Sequence, residues 1–439
     1  MMEHLFRLKE RNTNVRTEIA AGATTYFAMI YVVSIIVTMM MDTGMPEEAA
    51  YTSVLFASGL GCMIMGLLAN YPVGLAPSLG VTALFSSTLC GRMGYSWQAG
   101  LCAVFLVGII MLLIAVTGIR TAILRSIPAH LKNAISAGIG FFLTFVGLKN
   151  CGIIVNSEQN YVALGKIFSA EVLVSLFGII IMLALIIKWK KFPMIFGMLG
   201  TTVIGLIVGF FSDNPGLPRI PESFSLLQAS GANFGAFVSG FGELFSSPNV
   251  IIIILSILFV DFFDTTGTLI AVISRAKLPT VNGEPENINR ALSADALGSI
   301  VGAVAGTTSV SSYMESETGI ESGGRTGLTA VTTGVLFLIS IFLYPIFSLL
   351  TVCVTSPVLI LVGSLMVRQF AKIDWRDYVE AVSSFTTVIM MTLTYSIADG
   401  IAFGFIVYGL ASLFSNRYKE VSPLMWIMIG MFTIYFILI

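Results

Sequence analysis

Charge is what this 439-residue chain has least of: Asp, Glu, Lys and Arg make up 11% of it, where an ordinary soluble domain carries about 25%. That scarcity excludes a soluble protein, because too little polar side chain is left to cover a water-facing surface. Histidine is nearly absent, with His4 and His130 far apart, and the five cysteines (Cys62, Cys90, Cys102, Cys151, Cys353) sit singly in apolar stretches. Their spacing argues against a zinc site and a disulfide framework, so neither metal nor cofactor is expected. A net charge of −1 gives no reason to propose nucleic acid as a partner. The charged start, MMEHLFRLKERNTNVRTE, runs into a long apolar stretch without a small-residue cleavage site. It reads as a retained cytoplasmic tail rather than a signal peptide.

What is there is apolar: 56% of the residues are hydrophobic. A helix crossing the hydrocarbon core needs about 20 such residues, roughly 30 with its loop, so the chain has room for about 14 crossings. Apolar runs fall at 18 to 40, 50 to 69, 76 to 90, 97 to 118, 130 to 148, 170 to 187 and 193 to 211, then a polar loop, SDNPGLPRIPE, at 212 to 222. A second series follows at 248 to 270, 291 to 306, 309 to 322, 327 to 350, 355 to 371, 380 to 396 and 398 to 414. The Gly-rich 231 to 245 reads as an interfacial helix. The reading is an all-α polytopic membrane protein of two seven-span halves.

Basic residues collect in cytoplasmic loops. With the N-terminus inside, 19 of the 23 Lys and Arg residues fall on the cytoplasmic side, among them Arg120, Arg125, Lys190, Lys191 and Lys277. Only Arg92, Lys149, Lys166 and Arg219 do not. The last apolar stretch, 423 to 439, either crosses, leaving the C-terminus outside, or lies on the surface, leaving it inside.

The third element of each half is too short and too rich in Gly, Ser, Thr and Pro for a lipid-facing helix: PVGLAPSLGVTA at 72 to 83 and GTTSVSSYMESETGIESGG at 306 to 324. Irregular backbone at membrane depth survives only when buried or lining a cavity, and a matched pair of such segments points to the binding site of an inverted-repeat transporter. Half-helix N-termini there would offer amides and a positive dipole end to a polar substrate.

Seven carboxylates fall in or beside apolar runs, where a charge costs at least ~2.5 kcal/mol. Asp261 and Asp264 are three apart and share a helix face, an arrangement that suits a proton carrier or, for one of the pair, backbone satisfaction in an interrupted helix. Glu315 lies mid-segment, where it could accept ring N–H groups of a planar heterocycle. Glu317 and Glu321 read as rim charges, and Asp295 and Asp399 as local caps or ion pairs. Near the first span, Phe27 or Tyr26 could stack on a flat substrate, and Thr24 and Thr25 have suitable hydroxyls, though such Thr usually bonds its own backbone. GGRTG at 323 to 327 lacks the Gly-Lys-Ser/Thr of a phosphate loop and reads as a helix start with a basic anchor.

The strings TEIAAGATTYFAMIYV, FVDFFDTTGTLIAV, NRALSADALGSIVGAVAGTTSVSSYMES, SGGRTGLTAVTTGVLF and LTYSIADGIAFGF resemble the azaguanine-type purine permeases, a branch of the nucleobase-ascorbate (nucleobase-cation symporter) transporters. The likeness runs in order from about residue 5 to residue 436. It implies proton-coupled uptake of purine bases such as adenine, guanine and hypoxanthine across the cell (inner or plasma) membrane. It also implies two inverted seven-span repeats with strand and half-helix elements in spans 3 and 10. The core domain would comprise 18–118 (spans 1–4) and 248–350 (spans 8–11), and the gate domain 128–211 (spans 5–7) and 351–439 (spans 12–14 with the C-terminal segment). Residues 1–17 would be the cytoplasmic tail and 212–247 the outer loop with its interfacial helix.

By motif, the span-8 acid falls on Asp261, with Asp264 beside it, and the span-10 acid on Glu315. Base binding is expected at Glu315, Asp261, Thr82, Phe27, Thr25 and Ser312, and proton coupling at Asp261, Asp264 and Glu315. The partners would be a purine base, a proton and the bilayer, with room for a homodimer. Where the family usually has Asn in span 3, this chain has Thr82, which lacks an amide's paired donor and acceptor and would shift base preference. The rivals are a same-fold carrier of a pyrimidine or organic anion, an intramembrane aspartyl protease and a passive channel. The two further acids of span 10 argue against an anion. The protease needs converging aspartates that a single-helix pair does not provide.

Overall fold

The computed structural model describes residues 2–117, 126–157, 161–188, 193–212, 214, 216–219, 230–276, 280–281, 284–343 and 349–438. Arg120, Arg125, Lys190, Lys191, Lys277 and parts of the 212 to 222 loop lie outside them. The helices, in chain order, are α1 (Met2–Phe6), α2 (Val15–Met29), α3 (Tyr31–Met41), α4 (Glu47–Ile64), α5 (Leu79–Ala83), α6 (Trp97–Thr117), α7 (Ala129–Asn150), α8 (Ala170–Lys188) and α9 (Pro193–Phe210). There follow α10 (Phe241–Ser246), α11 (Val250–Ala276), α12 (Ile288–Ala305), α13 (Ser316–Glu321), α14 (Gly327–Ser340), α15 (Val352–Met366), α16 (Tyr378–Leu393), α17 (Ile397–Phe414) and α18 (Pro423–Leu438). Among the described residues, eight helical stretches are long and apolar enough to cross a membrane, Val15–Met41 through α2 and α3 being the first.

Polar side chains in this apolar chain go to the helix starts. Asn14 caps α2 by accepting from Thr17 N–H at 3.0 Å, and Ser396 caps α17 by accepting from Asp399 N–H at 3.2 Å. Asp377 caps α16 through Val379 N–H at 2.8 Å and also pairs with Arg417, whose guanidinium holds the Asp377 carboxyl below its usual range. The GGRTG stretch is capped from a distance. Buried Glu18 of α2 accepts from Arg325 N–H at 2.8 Å, Thr326 N–H at 3.2 Å and the Thr329 hydroxyl at 2.6 Å.

Helix contacts sort into two groups. In one, α14 packs on α2 and α4, and α12 on α4 and α6; in the other, α7 packs on α15 and α16, α16 on α17, and α8 on α9 and α15. Close approach within each rests on glycine, as expected where lipid supplies no hydrophobic drive between helices. A Cβ on Gly327 would stand 1.9 Å from the Gly66 carbonyl oxygen, and one on Gly363 2.4 Å from that of Gly140. Helix α11 touches both groups, contacting α6 in the first and α7 and α17 in the second. The last apolar stretch, α18, lies lengthwise against α17, with Phe405 and Phe432 centred 5.5 Å apart and Phe432 4.7 Å from Phe259 of α11.

The two broken segments cross. Strand β1 (Leu75–Pro77) pairs antiparallel with β6 (Val310–Ser312), Leu75 opposite Ser312 and Pro77 opposite Val310. The four strands between them form small hairpins elsewhere: β2 (Ile154–Ser157) with β3 (Tyr161–Leu164), and β4 (Thr280–Val281) with β5 (Glu284–Pro285). Each strand of the crossing leads into a half-helix. From β1 it is α5, continued by a π-helical stretch, Leu84–Arg92; from β6 it is α13. The pairing satisfies backbone groups that would otherwise be orphaned among apolar helices.

Candidate functional site

The serines at this crossing are held by three buried or half-buried aspartates. On α11, Asp261 accepts from Ser309 Oγ at 2.5 Å. One helical turn on, Asp264 accepts from Ser78 Oγ at 2.5 Å and Ser311 Oγ at 3.4 Å. On α12, Asp295 accepts from both the amide and the hydroxyl of Ser312, each at 3.2 Å. The two segments also meet directly, through Ser78 N–H donating to Ser309 O at 2.8 Å and a Thr82–Thr308 hydroxyl pair at 2.6 Å. Tyr313 donates to the Pro77 carbonyl at 2.5 Å.

A cavity of about 70 Å³ opens on this crossing. Leu79, Gly80, Asp264, Thr268 and Ser312 to Glu315 line one side; Ile139 and Leu143 of α7 and Val362 and Met366 of α15 line the other. It therefore lies between the two helix groups, polar on the crossing side and apolar opposite, as small-molecule sites are. The amides of Ser316, Glu317 and Thr318 already bond the carbonyls of Tyr313, Met314 and Glu315. Side chains rather than those amides give this wall its polarity. Glu315 receives the hydroxyl of Tyr31, at the start of α3.

Of the residues singled out in the sequence, Asp264, Ser312 and Glu315 line the cavity. Asp261 and Thr82 are fully buried behind it, engaged with Ser309 and Thr308. Thr25 is buried over Gly319. Phe27 is 48% exposed on the outside of the bundle, while Tyr26 turns inward to Ser340 at 2.5 Å. Glu317 and Glu321 are outside the lining, and Asp399 pairs with Arg92 at 3.2 Å. Tyr31, Ser78 and the Asp295–Ser312 link are not singled out by the sequence reading; a Tyr one residue past a helix break and a Ser after Pro77 were the available signals.

A second, larger cavity of about 540 Å³ lies one turn further along the same surfaces. Met39, Asp42, Ala83, Ser86, Ser87 and Gly91 face Phe142, Val146, Lys149, Asn150 and Tyr395 across it.

The sequence pattern of a permease family (Xan_ur_permease) matches residues 16–403. The chain is 40% identical to the guanine/hypoxanthine permease PbuG of Bacillus subtilis, covering 99% of each, and 35% identical to the adenine permease AdeP of Escherichia coli, covering 96% of this chain and 93% of that one. Among solved structures, the transmembrane domain of a cyanobacterial bicarbonate transporter, BicA, superposes with a TM-score of 0.68 at 15% identity, over 89% of this chain and 97% of that one. That likeness establishes the fold.

Proposed function

The chain belongs to this permease family, a multi-pass membrane transporter and not an enzyme, and we propose that it imports purine nucleobases with protons. The observation that carries the reading is the small cavity, where an acid from each of two elements, Asp264 and Glu315, faces an apolar wall across the gap between two helix groups. A flat, uncharged base needs such a slot: apolar faces for its rings, and acceptors for its edge N–H groups. Glu315 and Ser312 bond the base, and Asp264, with Asp261 behind it, carries the proton. The relatives' substrates, guanine, hypoxanthine and adenine, support the choice of purines.

The same reading extends to the whole molecule. The chain crosses the cell membrane fourteen times with its N-terminus inside. Helices α2 to α6 and α11 to α14 are the core, and α7 to α9 with α15 to α18 the gate. Movement of one against the other opens the site alternately to each side.

The test is uptake of radiolabelled adenine, guanine, hypoxanthine and uracil in cells lacking their own permeases, with and without a protonophore. Purine accumulation that the protonophore abolishes is the expected result. Accumulation of uracil alone, or purine uptake indifferent to the protonophore, would sink the purine and the proton parts respectively.

A further inference from the structure

We propose that the larger cavity, between the C-terminal ends of α3 and α7, is a second docking site for the same planar base, with the Tyr395 ring as its stacking wall. The proposal rests on the reading that the cargo is a flat heteroaromatic base, and on four features of the cavity itself. The first is size and place. At about 540 Å³ against about 70 Å³ it is much the roomier of the two. Its walls continue those of the small cavity by one turn, Gly80 to Ala83 on one side and Leu143 to Val146 on the other. On the orientation proposed above, it lies on the outer side, where an incoming base arrives first.

The second feature is an aromatic wall. Tyr395 stands 5.3 Å from Phe142 and 6.0 Å from Phe145. Lys149 holds its ammonium 4.6 Å above the Tyr395 ring and 3.5 Å from its hydroxyl. An exposed cation–π contact is weaker than the stacking of a nucleobase on an aromatic ring, so a base displaces Lys149 from the ring face.

Third, the facing wall carries three acceptor side chains, Asp42, Ser86 and Ser87. Ser86 and Ser87 lie in the π-helical stretch Leu84–Arg92, a register that recurs at functional sites. Ser87 donates its proton to the Ala83 carbonyl at 2.5 Å, which leaves its oxygen lone pairs for a ring N–H. Asp42 adds a carboxylate, and the charges of Asp42 and Lys149 cancel. The vestibule is thus neutral, which suits an uncharged base and gives no advantage to an anion.

The fourth feature is the Tyr395 backbone. Its φ of +55° is in the left-handed region, which a bulky side chain rarely adopts and Asn or Gly adopts readily. The position joins α16 to α17, so a strain-free residue would serve the turn alone. Strain kept at a cavity wall points to a use for the side chain.

The test pairs uptake with equilibrium binding, using whichever of adenine, guanine and hypoxanthine the unaltered protein takes up. Tyr395→Asn removes the ring while suiting the backbone, and Tyr395→Phe keeps the ring. Tyr395→Asn is expected to raise KM about 5- to 10-fold with kcat within about twofold, and Tyr395→Phe to stay near the unaltered protein. In purified protein carrying Glu315→Gln, weak saturable binding of the labelled base should persist and be lost when Tyr395→Asn is added. Unchanged KM in Tyr395→Asn, or equal impairment in Tyr395→Phe, or no residual binding in Glu315→Gln, overturns the outer site. Should Tyr395→Asn fail to reach the membrane, Ser87→Ala carries the same KM test. A protein that takes up no base at all overturns the purine reading as well, which separates that failure from this one.

Discussion

The two broken segments, residues 75–92 and 310–321, share a backbone plan and differ in chemistry. Both run from a three-residue strand into a half-helix, and the strands pair with each other. The first has no acid from Tyr71 to Arg92, meets the crossing through the hydroxyls of Ser78 and Thr82, and borrows for Ser78 a carboxylate from α11. It also spends Ser78 on capping α5, by accepting from Val81 N–H at 3.1 Å. The second has its own acid in Glu315, which sits at the start of α13 without capping it and takes the Tyr31 hydroxyl instead. One segment positions and the other brings an acid of its own. Losing a positioning hydroxyl forfeits a hydrogen bond worth about 1 kcal/mol, whereas removing a carboxylate takes away an ionisable group at membrane depth, where the stakes are several-fold higher.

The largest effect should follow from removing the acid of the second segment. Glu315→Gln keeps size and leaves an oxygen to accept from Tyr31, yet it cannot carry charge. Initial uptake should fall by about 100-fold or more, on the order of 2.7 kcal/mol in kcat/KM, measured in cells with surface expression matched. A loss under about threefold would make the two segments equivalent and break the comparison. Asp264→Asn comes next and separates binding from coupling. Its amide oxygen can still accept from Ser78, so exchange of internal for external base should survive within about threefold while accumulation against a gradient drops by about tenfold or more. Full accumulation in Asp264→Asn would remove that residue from the proton's path and leave Asp261 to be tried.

How much of this was legible beforehand follows from what each signal measures. The broken segments stood out because Gly, Ser, Thr and Pro at membrane depth violate the demand for helical backbone, and the structure puts the crossing there. The acids stood out for the same reason, through cost. Spacing placed Asp261 and Asp264 on one helix face, and they are, yet a face is wider than a cavity. Asp264 reaches the lining and Asp261 stops at Ser309 behind β6, a distinction set by which residues of the crossing strand oppose α11. Asp295 reads as local because sequence shows only its near neighbours, whereas it accepts from Ser312, 17 residues further on in β6. Tyr31 was overlooked beside Tyr26 and Phe27, since an aromatic in a chain so rich in them carries no signal until its hydroxyl has a partner.

Thr82 should give the smallest effect, and it tests the positioning half most directly. Its hydroxyl donates to the Ser78 carbonyl at 2.7 Å and pairs with Thr308 at 2.6 Å, and the residue is fully buried outside the cavity lining. The first of these is the ordinary back-bond of a helical Thr, so the link to Thr308 is its particular contribution. Thr82→Val keeps the shape and deletes both. The expected cost is about 1 kcal/mol of stability, read as a fall of about 1 °C in the melting temperature of purified protein. Uptake should change less than about threefold, by the same factor for adenine, guanine and hypoxanthine, because a residue that braces the crossing acts on every base alike. A changed rank order among the three bases would mean that Thr82 meets the base itself during the transport cycle. The first segment would then read the substrate as well as position it, and selectivity would belong to both halves of the crossing.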